Sequence, residues 1–547
     1  MSNPATSSNT DTGWTAPLQS HHSGSAPVDD DDLVGQIAVA AIPSDPFSQT
    51  SARSIGTGHS LLRSLLIGPL SELPSSEQRS ARHHSFVMDL PYEARADWPP
   101  KQTVGRLVDV YFEHCDMFSP ILQSKDDFLA TIEPLCDGTL PMNHDMAHAK
   151  FQAFAIFATA IFLLNRIDSS VPVSRSEAFF ANCVQLLSEN PGLLCTGDLD
   201  HLTNLLLIIQ YCFFAAHLTA AWHFIGLATR LAIELDLHIS HVRTAHFERV
   251  ELDRRRWLFW CTYSFERTLC FVVGRPVSIS DQSIQAPLPT EVEGDSKRCL
   301  AIHLLKGRQI QSDIYNAISQ KGSFSGIHAD GKSQWRRAMH GRLDEWGSVL
   351  PSYWDTSQLA PAELFNAARL NALVLLYYPS FHFPDLSEQE LGDLGRFAME
   401  SVHSYPQVFR GGKLRFYWRA VHNLFRSGVA VIYCIYVSRM RPCLVLNADE
   451  LNASINSCSS VLWGMVERYP SGKPYRDIFE KLADQISNPR HNLSSLTENA
   501  ATGELTGTEG FLDRMYADLQ MDIPFALTDV LVNGFVTGIE SVSGGAT

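Results

Sequence analysis

The chain has 547 residues, 45% of them hydrophobic and 10% aromatic, with a formal net charge of −16. That length exceeds what a single hydrophobic core usually holds, and that composition excludes a chain unfolded throughout. The acidity argues against unaided DNA binding, since a protein that holds nucleic acid by neutralising phosphates carries a basic face; simple solubility is an equally good reason for it.

Residues 1–98 are rich in Ser, Thr, Pro, Gly and Asp, including the run Asp29 to Asp32, and are expected to be disordered. Within them Leu61-Leu62-Arg63-Ser64-Leu65-Leu66-Ile67 is a short apolar patch, either a helical turn formed on a partner or a transient hydrophobic cluster. After Pro99-Pro100 the pattern turns helical. Leu107, Val110, Tyr111, His114, Cys115 and Phe118 share one face at helical spacing. Further apolar helical stretches follow at 151–164, 176–188, 202–216, 220–235, 252–273, 300–318, 334–349, 362–378, 387–405, 414–438 and 453–466. No sustained alternating run bounded by hairpin turns appears, so the fold class is all-α, with one large multi-helix regulatory domain over residues 99–485.

Two stretches within that domain repay a closer look. From Leu202 to Leu227 no Asp, Glu, Lys or Arg occurs, a length that would span a bilayer. Asn204, Gln210, His217 and His223 interrupt it, so the expectation is a buried helix, or two helices joined near Ala215 to Thr219. In the helix near Leu252, Trp257, Trp260, Cys261, Ser264, Thr268 and Leu269 form one stripe, with Arg254, Arg255 and Glu266 mostly off it. Glu251 and Asp253 suit the positive end of its dipole, Gly274 and Pro276 stop it, and Ser278 to Pro289 should run extended. The triplet Arg254-Arg255-Arg256, flanked by these acids, is expected to be a salt-bridged face and not a phosphate site.

Residues 486–510, rich in Ser, Asn, Thr and Gly, read as a linker. In the tail, 511–547, Asp513, Asp518, Asp522 and Asp529 alternate with Phe511, Leu512, Met515, Tyr516, Leu519 and Phe525. Two readings stay open for it: an acidic activation segment that folds on a partner, or a last helix packed on the domain.

Eleven cysteines occur, most inside apolar runs, and read as buried free thiols in a reducing compartment. The closest pairs, Cys261 with Cys270 and Cys434 with Cys443, are too far apart in sequence for a zinc cluster, and no Cys-x-x-Cys exists. The adjacent histidine pairs His21-His22 and His83-His84 do not replace one. There is no phosphate-binding loop, Gly-x-Ser-x-Gly elbow or His-Glu-x-x-His motif. No catalytic, cofactor-binding or metal-ligating residue is therefore assigned, and the chain is not expected to be an enzyme.

Three blocks carry a family resemblance. The first runs from Arg106 to Leu122 and contains Tyr111-Phe112 and Phe118-Ser119-Pro120; the second runs from Trp222 to His238. The third comprises Arg254-Arg255-Arg256-Trp257, Glu266-Arg267, Gly274-Arg275-Pro276, Ile279-Ser280-Asp281 and the Pro-Leu-Pro ending at Pro289. Together they resemble the fungal-specific transcription factor domain, or middle homology region, of zinc-cluster regulators. A later stretch, Leu370 to Ser380, is similar to that family's helix ending in an aromatic-Pro-Ser. Members often carry Asp where this chain has Glu266, and Gly where it has Asp236. The residues also have a physical reading: Gly226 would let helices approach closely, and Arg230 could pair with Glu234.

The resemblance implies a nuclear transcriptional regulator acting through a helical domain on protein partners of the transcription machinery, with a small-molecule effector among its ligands. Its target would be a specialised metabolic pathway. DNA would be contacted only indirectly, through a zinc-cluster DNA-binding protein or through N-terminal sequence not in this chain, and no membrane is involved. The alternative is an effector-binding or inhibitory interaction module with no transcriptional output of its own.

Overall fold

The structure, a computed structural model, describes residues 95–487 apart from 138–143, 169, 240–246, 293, 321, 350–361, 381 and 441–446. The expectations for the N-terminal region, the linker and the acidic tail fall outside these, save for residues 95–98 and 486–487. Among the described residues the regular elements are fourteen α-helices and three short 3-10 turns, and no strand. In chain order the helices are α1 (Lys101–His114), α2 (Lys125–Asp137), α3 (His144–Ile167), α4 (Ser174–Glu189), α5 (Leu199–Ala215), α6 (Leu218–Glu234) and α7 (Arg249–Val273). Then come α8 (Ser296–Ser319), α9 (Ala329–Ser348), α10 (Ala362–Tyr377), α11 (Glu388–Arg410), α12 (Tyr417–Met440), α13 (Ala448–Arg468) and α14 (Lys473–Ser487).

Neighbours in sequence are mostly neighbours in space: α3 packs on α4, α5 on α6, α10 on α11, and α11, α12 and α13 on one another. The buried apolar residues form two clusters. One is built mainly on α1 to α7, and the other mainly on α8 to α14, with α8 contributing Ala301, Ile302 and Leu305 to the first. Phe416, just before α12, and Trp418 within it belong to the first cluster, whereas the buried apolar residues of α12 from Ala420 on belong to the second.

The 202–227 stretch is two helices. In α5 every residue from Leu202 to Phe214 is buried, as expected of a helix that is apolar all round and lies inside a protein. Its one deeply buried asparagine is satisfied: the Asn204 amide donates to the Leu193 carbonyl at 2.9 Å and accepts from Gln152 at 3.1 Å. Two other helices, within Asp145–Arg166 and Tyr417–Arg439, are long and apolar enough to cross a membrane by composition, and most of each is buried against the rest of the protein.

The break between α5 and α6 falls at Ala216, which takes a left-handed conformation with φ 59°. The His217 amide then donates back to the Cys212 carbonyl at 2.9 Å, closing the helix end. A side chain in this conformation costs about 1–2 kcal/mol, partly offset by the chain entropy that glycine would add. Ala216→Gly should therefore raise stability by about 0.5–1 kcal/mol, seen as a higher urea midpoint at unchanged slope. A lowered midpoint would contradict this account of the break. The same conformation recurs at Asp236, φ 56°, the position where the resembling family often has glycine.

Several expectations need correction. The buried stripe of α1 is Val104, Leu107, Val108, Tyr111 and Phe112, continuing to Cys115, with Val110 and His114 only half-buried. The stripe is rotated because α1 is covered by both α2 and α3. Gly226 is not a point of close approach, since a Cβ there would meet nothing. Arg230 and Glu234 stand exposed and form no ion pair among the described residues. The 278–289 segment does not run extended throughout as expected: it turns through a short 3-10 helix at Asp281–Ser283. Two helices had no counterpart in the sequence reading. α2 contains Pro134, which reads as a breaker but sits in the last turn, and α14 begins at a Lys-Pro.

Candidate functional site

Helix α7 is the frame on which the site is built. Its N-terminal arginines pair with other elements and not with their flanking acids: Arg254 bridges to Asp200, and Arg255 donates to the Leu235 carbonyl at 2.6 Å. Arg256 reaches Thr290 at 3.3 Å. The triplet is thus committed to holding the fold, as the sequence reading expected in kind if not in partner.

Further along α7, Glu266 is not off the buried stripe. Glu266 and Arg267 are 1% and 0% exposed and form an ion pair with each other. Every remaining group of the pair is used. The Ser278 amide donates to Glu266 Oε1 at 2.7 Å, and Arg267 donates to the Ile279 carbonyl at 2.6 Å, Asp281 at 3.3 Å and Ser312 at 3.2 Å. Asp281 in turn accepts from Tyr263 and Ser312, both at 2.7 Å, and from Asn316 at 3.0 Å. This network ties α7, the 278–281 turn and α8 into one rigid piece, because each buried charge is satisfied only while all three stay in register.

That piece supplies one wall of a cavity of about 150 Å³ at the seam between the two apolar clusters. Phe118 and Ser119 follow α1; Phe213 is from α5; Ser264, Phe265 and Thr268 come from α7; and Leu304, Gly307, Arg308 and Gln311 come from α8. The facing wall is Trp346, Phe365, Ala368, Asn371, Tyr405 and the segment from Lys413 into α12, including Arg415, Phe416, Arg419 and Asn423. Gly307 is required here: a Cβ would come within 2.5 Å of the Trp346 ring. Trp346 is fixed by donating its indole N–H to the His303 carbonyl at 2.8 Å and by stacking on the His303 ring at 5.1 Å.

Four cationic side chains line this space, Arg308, Lys413, Arg415 and Arg419, and among the described residues no carboxylate does. In a chain of net charge −16 that concentration of positive charge is local and uncompensated. Arg308 spends one nitrogen on Gln311 at 2.7 Å, and its Nε has no hydrogen-bond partner among the described residues. Arg415 lies over the rings of Phe118 at 4.1 Å and Phe416 at 5.0 Å, with Nε and Nη2 both unpartnered. Burial lowers the pKa of all three arginines, to about 10 for Arg415, and the positive charge of Arg419 lowers those of Arg308 and Arg415 further. Arginine keeps its charge in proteins, so these are charges held where water solvates them poorly. Chemically the arrangement is an apolar, aromatic-walled space that offers hydrogen-bond donors to an anion.

Burial holds His303, behind the Trp346 wall, down to about 4, with Lys306 lowering it further and Glu291 opposing. Between its ordinary value near 6.5 and that value, the unfolded chain binds a proton here that the folded chain does not. His303 therefore costs stability as pH falls through that window and costs none above it, by up to about 1.4 kcal/mol per pH unit. His303→Phe, which keeps the stacking on Trp346, should flatten the loss of stability between pH 6.5 and 4.5, measured by urea denaturation. An unchanged slope would contradict it.

The thiols take no part. Eight of the ten described cysteines are buried, all ten are free, and burial raises Cys115 to about 12. Among the described residues no three His, Cys, Asp or Glu side chains are placed to share a metal ion.

Residues 108–348 match the family model described as the fungal specific transcription factor domain. Over that span the chain is similar to the domain. A protein named "Positive regulator of purine utilization" from Emericella nidulans is 24% identical over 535 residues, covering 76% of this chain and 50% of its own length. "Pyrimidine pathway regulatory protein 1" of Saccharomyces cerevisiae is 24% identical over 275 residues, 45% of this chain and 30% of that protein. "Protein STB5" of the same yeast is 23% identical over 415 residues, 71% of this chain and 54% of that protein. The chain thus spans about half the length of two of these relatives and under a third of the other.

Of the stretches that carry the resemblance, the three blocks fall almost entirely inside residues 108–348 and Leu370 to Ser380 lies beyond them; the structure gives the third block a framework role, since Glu266, Arg267 and Asp281 are the buried network. The cavity arginines were missed. Arg415 and Arg419 lie beyond the matched span, yet a signal was present: two arginines four apart at the head of a long apolar helical stretch, with no acidic residue beside them.

Proposed function

We propose that this chain is a transcriptional regulator that works from the nucleus on genes of a metabolic pathway, through its helical domain and protein partners. The observation that carries the reading is the match of residues 108–348 to the fungal specific transcription factor domain. The relatives' names, a positive regulator of purine utilization and a pyrimidine pathway regulatory protein, support a metabolic target. DNA contact is supplied by a zinc-cluster partner or by sequence outside this chain, because no crowded cysteine set occurs in it. A second reading, an effector-binding or inhibitory module without output of its own, draws support from the cationic cavity. Chromatin immunoprecipitation of the tagged chain tests the proposal. Enrichment at a discrete set of promoters is the expected result, and a uniform background would count against it.

A further inference from the structure

We propose that the cavity between α7, α8, α10 and α12 is a ligand site for a small carboxylate carried on a single six-membered ring, held by Arg415 with Arg308 and Arg419. The inference deepens the effector reading above and rests on it for its regulatory meaning.

Three observations fix the ligand's chemistry. The first is charge: three arginines and a lysine face the space, and among the described residues no carboxylate lines it. Uncompensated guanidinia in a poorly solvated space are costly to keep, and such groups mark functional sites more often than structural ones. The second is geometry. The two Arg415 nitrogens without partners are Nε and Nη2, the pair whose N–H bonds run side by side along one edge of the guanidinium. That edge matches the two oxygens of a carboxylate, and the guanidinium packs over the Phe118 and Phe416 rings, which limits its movement. The third is size and lining. The cavity volume of about 150 Å³ is close to that of an apolar cavity known to take up benzene, so one ring fits. The walls of Phe213, Phe265, Trp346 and Phe365 offer that ring faces and edges to pack on.

The test uses the purified full-length chain with benzoate, nicotinate and isophthalate as probes, and benzamide as the neutral control, read by isothermal titration and thermal unfolding at constant ionic strength. At least one carboxylate should bind saturably and raise the melting temperature, and benzamide should not. Arg415→Met should weaken that binding about 10- to 100-fold, the worth of a charged hydrogen-bonded contact. It should also raise the melting temperature of the ligand-free protein, because an unpaired, poorly solvated charge has been removed while the packing on Phe118 and Phe416 is kept. A purely structural arginine would do the opposite, losing stability without touching affinity. Arg308→Gln, which keeps a hydrogen-bonding side chain at α8, gives the same loss of affinity should Arg415→Met not fold. Absence of saturable binding by all three probes, equal binding of benzamide, or unchanged affinity in both variants would overturn the proposal. Binding is measured without any transcriptional readout, so its failure leaves the regulatory reading intact, and a failure of promoter occupancy leaves the site intact.

Discussion

Glu266→Ala should destabilise the protein by about 3–5 kcal/mol, because it removes one partner of a buried pair and strands the other. Arg267 is fully buried, and with Glu266 gone its remaining acid is Asp281, which is already shared with Tyr263, Ser312 and Asn316. The Ser278 amide loses its acceptor at the same time. The expected result is a much lower urea midpoint, or loss of soluble protein. A change below about 1 kcal/mol would mean that the network is not what joins α7 to α8. Asp at position 266, common in the resembling family, shortens the side chain by one carbon while keeping the charge, and should cost less than alanine.

Trp418→Ala is the second large effect, with an expected cost of about 3–5 kcal/mol. The residue is 2% exposed and joins the two halves of the core: its indole N–H donates to the Phe213 carbonyl at 2.9 Å, and its ring meets that of Phe213 at 5.2 Å. Phe213 in turn packs edge-on against Phe265 and Phe416. Removing the indole opens a hole in this aromatic cluster beside the ligand cavity, so the variant should lose cooperativity between the two apolar clusters as well as stability. A single transition of unchanged midpoint in chemical denaturation would contradict that. Phe at 418 refills most of the volume without the hydrogen bond, and separates the packing loss from the polar one.

Much of the helical framework was legible in the sequence for a simple reason: helices buried on one side write their period into the chain. The polar side chains inside 202–227 speak for burial and against a membrane span, and of the two arrangements they left open the chain adopts two helices, parted at Ala216 and His217. What escaped had specific causes. α2 was hidden by Pro134, since a proline in the last turn of a helix carries the same letter as one that breaks it. The burial of Glu266 escaped because charge is ordinarily a mark of exposure, and only the three-dimensional convergence of Ser278, Ile279, Asp281 and Ser312 satisfies it. Arg308 lies on α8, whereas Arg415 and Arg419 lie just before and within α12, more than 100 residues on in the sequence, so no local motif could assemble them. Periodicity identifies a core face, but a cavity is made by what several such faces leave unfilled.

The reading of this chain as a regulator is tested most directly by fusing its full length to an unrelated DNA-binding module and measuring a reporter gene under that module's site. Altered transcription, above or below that given by the DNA-binding module alone, is the predicted result, and it should persist when DNA contact by any zinc-cluster partner is removed. A fusion that is stable, nuclear and bound to its site yet leaves the reporter at the level of the module alone would contradict it.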